Sequence, residues 1–152
     1  AGVFPEGRVY FCEHVTPELV WRPEWQSHEN GIEAVSEIVV VTRDHAKSTD
    51  LYSKLLGTSF VKKSLGKSVE IPGGGFITIY SEDEYQERYG QLASGLGGRD
   101  AIFGALVFET AKDIFKLDIQ GAEHFEMERK ESSLVLRVPK YDSVLEFTKS
   151  GG

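Results

Sequence analysis

Cysteine and methionine occur once each in the 152 residues, as Cys12 and Met127. One thiol cannot close an internal disulfide, which excludes a disulfide-stapled scaffold and agrees with a reducing, cytoplasmic setting. Cys12 stands among strand-like apolar residues, so a buried and inert thiol is expected. No apolar run approaches the roughly 20 residues that span a bilayer, and the basic and apolar segments of a secretory signal are missing. A membrane partner is therefore not expected. Positive charge is scarce as well: 17 Lys and Arg oppose 24 Asp and Glu, giving a net charge of -7. With no basic block, the surface does not attract a polyanion, and nucleic acid is excluded as a partner. The chain opens on Ala1, so it is expected to be a processed form or the C-terminal portion of a longer protein.

Hydrophobic residues make up 40% of the chain, enough for the core of one domain or of two small modules that share a core. The clearest local signal is VSEIVVVTRDHAKSTDLYSKLLG, residues 35–57. The β-branched run Ile38 to Val41 predicts a buried strand, Asp44 caps a helix through Leu56, and Gly57 suits the left-handed turn that ends it. Strands follow at 59–63, 69–71 and 76–80, the last two separated by Pro72 and three glycines.

A second stretch repeats this grammar. A strand over 102–108 leads to Thr110 and Asp113, in capping-box spacing, then to a short helix carrying Ile114, Leu117 and Ile119 and ending at Gly121. Strands follow at 133–138 and 144–149. Each copy therefore reads β-α-β-β-β. Between them, Ser81 and Glu84 make another capping box, and Tyr85, Tyr89 and Leu92 share one stripe of a linking helix over 82–93. The glycine-rich segments 73–75 and 94–100 lack the Lys-Ser or Lys-Thr that completes a phosphate loop. The resulting division is an orphan strand and connector over 1–31, a first module over 32–93, a linker over 94–100 and a second module over 101–150.

Two tandem modules of this kind resemble the vicinal oxygen chelate superfamily, and HVTPELVWRP followed by HENG looks like its glyoxalase-like domain proteins. The resemblance implies an α+β fold in which paired βαβββ modules enclose a curved-sheet cleft, here with an extra N-terminal strand over residues 8–15. It also implies a single divalent metal in the enzymes of the superfamily, held by His, Glu or Gln from opposed strands. Glu37 matches the first-strand ligand position and Glu146 the fourth-strand position of the second copy. The remaining two positions offer Ile102, Phe103 and Gly104, and Ile79 and Tyr80, so half of the metal shell is missing.

Glu13 or His14, at the end of the orphan strand, fits the fourth-strand pattern of a module lying upstream. Pro17, Pro23 and Asn30-Gly31 then punctuate a crossover, with Trp21 and Trp25 as packing residues. His45, His124 and His28 read as surface or turn residues.

Two functions follow. The first is a metal-free small-molecule-binding or scaffold domain, with an apolar or aromatic ligand among Phe76, Tyr80, Phe103 and Phe108. The second is a divalent-metal lyase or dioxygenase of the same fold, with Glu37, Glu146 and the His14 region as ligands or bases. A second copy of the chain, or an upstream module of the same chain, is the expected macromolecular partner.

Overall fold

The structure is a computed structural model and describes residues 3–10, 12–114 and 122–150. Its N-terminal part departs from expectation. The described residues between 8 and 15 form no strand, Cys12 is exposed rather than buried, and the single-turn helix α1 (Pro17–Val20) buries none of its residues. Alternation of apolar and polar residues makes a strand only where a neighbouring edge accepts its N–H and C=O groups, and none pairs with this segment. Trp21 and Trp25 are exposed too: Trp21 meets the His14 ring edge-on at 5.9 Å, and Trp25 lies under the Arg22 guanidinium at 4.8 Å.

Phe4 and Glu6 do reach the core. Phe4 packs on Tyr52 with ring centroids 5.2 Å apart, and the Tyr52 hydroxyl donates to the buried carboxylate of Glu6. Burial, that hydrogen bond and the negative charge together push the Tyr52 phenol well above its ordinary range.

From residue 32 to residue 80 the predicted order of strand, helix and three strands is present. β1 (Ile32–Thr42) buries Val39, Val40 and Val41 completely or nearly so. Asp44 then accepts from the Lys47 N–H at 2.9 Å and caps α2 (His45–Leu56), which Gly57 ends at φ 65°. β2 (Val61–Lys62), β3 (Lys67–Glu70) and β4 (Phe76–Tyr80) complete the first half. α3 (Glu82–Tyr89) follows, with both hydrogen bonds of the predicted Ser81–Glu84 capping box, and continues into a 3-10 turn over Gly90–Leu92. β5 (Ala101–Thr110), β6 (Glu126–Arg129), β7 (Ser133–Val138) and β8 (Ser143–Lys149) form the second half. Of the second predicted helix, residues 115–121 lie outside the described residues.

The eight strands among the described residues belong to one sheet, in the order β2-β3-β4-β1-β5-β8-β7-β6. β1 and β5 meet antiparallel at its centre, and each is flanked by a parallel neighbour, β4 on one side and β8 on the other. The two halves thus have the same internal order, mirrored across the β1–β5 seam.

One face of the sheet carries α2: Val40, Ile77 and Ile79 pack there with Tyr52. The other face carries α3. Val39, Val41, Ile102, Ala105, Val107, Val135 and Val144, drawn from both halves, form one cluster with Tyr85, Tyr89, Leu92 and Leu96. No helix among the described residues is long and apolar enough to cross a membrane.

Candidate functional site

The α3 face is where the strands converge, and the register decides which side chains reach it. Partners across a ladder share a face. Glu37 is opposite Phe76 in β4 and Val107 in β5, and Val107 is in turn opposite Glu146 in β8. Both glutamates therefore stand on the α3 face, separated by β5 alone and level with each other. Neither is solvated: the side chains of Glu37 and Glu146 are 16% and 10% exposed.

Arg88, from the last turn of α3, lies between them. Its Nη1 donates to Glu37 Oε1 at 3.0 Å and to the Tyr80 hydroxyl at 2.7 Å. Its Nη2 donates to Glu37 Oε2 at 2.8 Å and to Glu146 Oε2 at 2.8 Å. Tyr89, wholly buried, donates its hydroxyl to the same Glu146 oxygen at 2.9 Å. The guanidinium sits 5.1 Å from the Tyr89 ring centroid and 5.7 Å from that of Tyr80. Lys130 closes the group, with Nζ 5.8 Å from the Tyr89 ring and a hydrogen bond to the Arg88 carbonyl.

The electrostatics follow from this geometry. Burial opposes the charge on Arg88, but the bonds from Glu37 and the field of Tyr89 and Glu146 outweigh it and hold the guanidinium charged. Burial pushes both phenols, Tyr80 and Tyr89, above their ordinary range, so they remain neutral hydrogen-bonding groups. The N-terminus of α3 is fixed by a second carboxylate. Burial alone would raise the Glu84 carboxyl, yet hydrogen bonds from Ser81 and the Gly66 N–H, with His45 Nε2 at 3.1 Å, hold it below its ordinary value. Gly66, at φ 69°, also packs against the Tyr80 ring so closely that a Cβ there would lie 2.5 Å from it.

The predicted site residues thus divide. Glu37, Glu146 and Tyr80 come together, and Phe76 shares their face, partly exposed, opposite Glu37. Phe103 and Phe108 do not join them. β5 carries a bulge at Gly104: Ala105 pairs with Val39, but Phe103 pairs with Val40, which turns Phe103 to the α2 face beside Gly7. Phe108 also faces away from Glu37, stacked on Phe147 at 5.5 Å. Gly104 is required where it stands, because a Cβ would lie 2.6 Å from Val41 Cγ2 and 3.0 Å from the Tyr85 ring. Glu13 and His14 stand exposed before α1 and make no hydrogen bond or ion pair with Glu37 or Glu146.

Sequence reasoning missed Arg88, although a signal existed. Residues 85, 88, 89 and 92 have the spacing i, i+3, i+4, i+7, so Arg88 shares the stripe of Tyr85, Tyr89 and Leu92. A cation on a buried stripe requires a buried carboxylate.

A divalent metal does not fit these residues. A hard cation takes six or more oxygens, and among the described residues two carboxylates converge here, with three of their four oxygens accepting from Arg88 or Tyr89. The guanidinium beside them would repel a second cation. Among the described residues, no group of three or more His, Cys, Asp or Glu is placed to hold a metal.

No protein-family model matches the chain, and no curated protein matches it by sequence. Solved structures do. A methylmalonyl-CoA epimerase from Mycobacterium tuberculosis superposes with a TM-score of 0.56 at 11% identity, covering 83% of this chain and 93% of its own. A Streptomyces coelicolor methylmalonyl-CoA epimerase in complex with 2-nitronate-propionyl-CoA gives 0.47 at 14% identity, over 78% and 97% of the two chains. An NAD-dependent benzaldehyde dehydrogenase from Legionella pneumophila gives 0.47 at 13%, over 76% and 98%. The first match, with the mirrored strand order, shows the fold: α+β, with the open eight-stranded sheet of the vicinal oxygen chelate type.

Proposed function

We propose that this chain, a domain of vicinal oxygen chelate fold, is a metal-free scaffold or small-molecule-binding domain, and that scaffolding is its principal role. One observation carries the reading: the guanidinium of Arg88 stands between Glu37 and Glu146, on the face where the two halves meet. That face is also covered by α3, whose Tyr85 and Tyr89 are buried to 2% and 0% exposure. A face occupied by the chain's own helix and cation is a core and an assembly surface before it is a substrate cleft. The exposed apolar residues Tyr10, Val15, Leu19, Trp21 and Trp25 belong to the same reading, as a segment for a second copy or an upstream module to cover. The single cysteine keeps cytoplasmic residence as the expected location.

The competing reading is a metal-dependent lyase or dioxygenase, and it has one point in its favour, the convergence of Glu37 and Glu146. Fold likeness to an epimerase does not transfer its chemistry at 11% identity. Elemental analysis of the purified protein separates the two. The expected result is no stoichiometric divalent metal, unchanged by Glu37→Ala or Glu146→Ala. A stoichiometric metal that either substitution removes would establish the enzyme reading instead.

A further inference from the structure

We infer that the Glu37–Glu146 pair is a recognition site for a guanidinium group, occupied in this fold by the side chain of Arg88. The inference rests on the metal-free reading above and adds the chemical class of ligand that the site selects. Its basis is the arrangement of acceptors. A guanidinium has two terminal nitrogens, each with two N–H groups, and all four meet an acceptor here: Glu37 Oε1 and Tyr80 Oη at Nη1, Glu37 Oε2 and Glu146 Oε2 at Nη2. Glu37 supplies the two-pronged grip that matches a planar fork. Glu146 and Tyr80 then take the outward N–H of each nitrogen.

An ammonium ion, with three donors on one centre, cannot satisfy four acceptors spread along an edge. A metal ion would find two carboxylates and a phenol and would draw the rest of its shell from water, whereas a guanidinium finds an acceptor for every terminal N–H. The tyrosines add a further selective feature, since the Tyr89 and Tyr80 rings flank a delocalised cation, and the Tyr89 hydroxyl holds Glu146 Oε2 in position. The Arg88 side chain remains 21% exposed, so the site reaches the protein surface. Shortening Arg88 therefore leaves a space that a small guanidinium compound can enter.

The test uses the full chain with Arg88→Ala, thermal unfolding as the readout, and methylguanidinium as the probe at low millimolar concentration. Methylurea (neutral, similar shape), methylammonium (charged, different shape), manganese chloride and sodium chloride serve as controls. At ten times its dissociation constant, methylguanidinium is expected to raise the folding equilibrium constant of Arg88→Ala about tenfold. The controls are expected to do less, and wild type and Arg88→Ala/Glu146→Gln are expected not to respond.

If Arg88→Ala is recovered only from inclusion bodies, the same probes are compared for refolding yield, with methylguanidinium expected to give the highest. No response to methylguanidinium, or an equal response to methylammonium, manganese or salt, would overturn the inference. That failure is distinct from failure of the metal-free reading, which is decided by the metal content of the wild-type chain.

Discussion

Replacing Arg88 by alanine is expected to destabilise the protein by about 3–5 kcal/mol at pH 7, among the largest effects of any single substitution. The reason is the state of what remains. With the guanidinium gone, Glu37 and Glu146 are two carboxylates facing one buried space, and among the described residues neither has another cation within hydrogen-bonding distance. The loss is mostly a penalty on the groups left behind rather than the net worth of the ion pairs. Arg88→Ala with Glu37→Gln and Glu146→Gln should therefore recover much of it. Urea unfolding of wild type, Arg88→Ala and the triple variant reads this directly. A deficit in Arg88→Ala below 1 kcal/mol would mean that the cluster is solvated and does not organise the core.

The second large effect is expected at Tyr85. Its ring is buried against the β1–β5 seam, its hydroxyl donates to the Gly104 carbonyl at 2.8 Å, and it accepts from the Ser94 N–H at 3.3 Å. Tyr85→Ala removes a large buried side chain and opens a cavity between α3 and the sheet, at a cost of about 3–5 kcal/mol. Tyr85→Phe keeps the packing and leaves the Gly104 carbonyl without its side-chain donor, at about 1–3 kcal/mol. That ordering, with both variants well below wild type in thermal unfolding, distinguishes a helix that belongs to the core from one that merely rests on it. Near-wild-type stability of Tyr85→Ala would place α3 outside the cooperative unit.

Much of the fold was legible because its local signals are redundant. The strand at 38–41, the Asp44 cap and the Gly57 stop all point to one strand-helix unit, and the Ser81–Glu84 capping box fixed the start of α3. The convergence of Glu37 and Glu146 followed from the family resemblance rather than from any pattern within the chain. Three features went unread. The Gly104 bulge adds one residue to β5 and so reverses the face of Phe103, and alternation read across that glycine gives the wrong side. The segment over 8–15 alternates as a strand should, but pairing depends on a neighbouring edge that local sequence does not encode. The occupant of the site was hidden for another reason: Arg88 reads as an ordinary helix-surface cation until its position on the Tyr85–Tyr89–Leu92 stripe is noticed.

The central claim is that α3 and Arg88 are permanent occupants of the face where the two halves of the sheet meet. Native-state hydrogen exchange of the α3 amides tests it most directly. Burial of Tyr85, Tyr89 and Leu92 contributes about 1.5–3 kcal/mol for each side chain, so α3 should open only with the sheet. The expected result is that the Tyr85–Tyr89 amides exchange with the same free energy as Val39–Val41 in β1. Exchange of α3 through a separate opening of only 1–2 kcal/mol, with β1 still protected, would contradict the claim and make this face an accessible cleft.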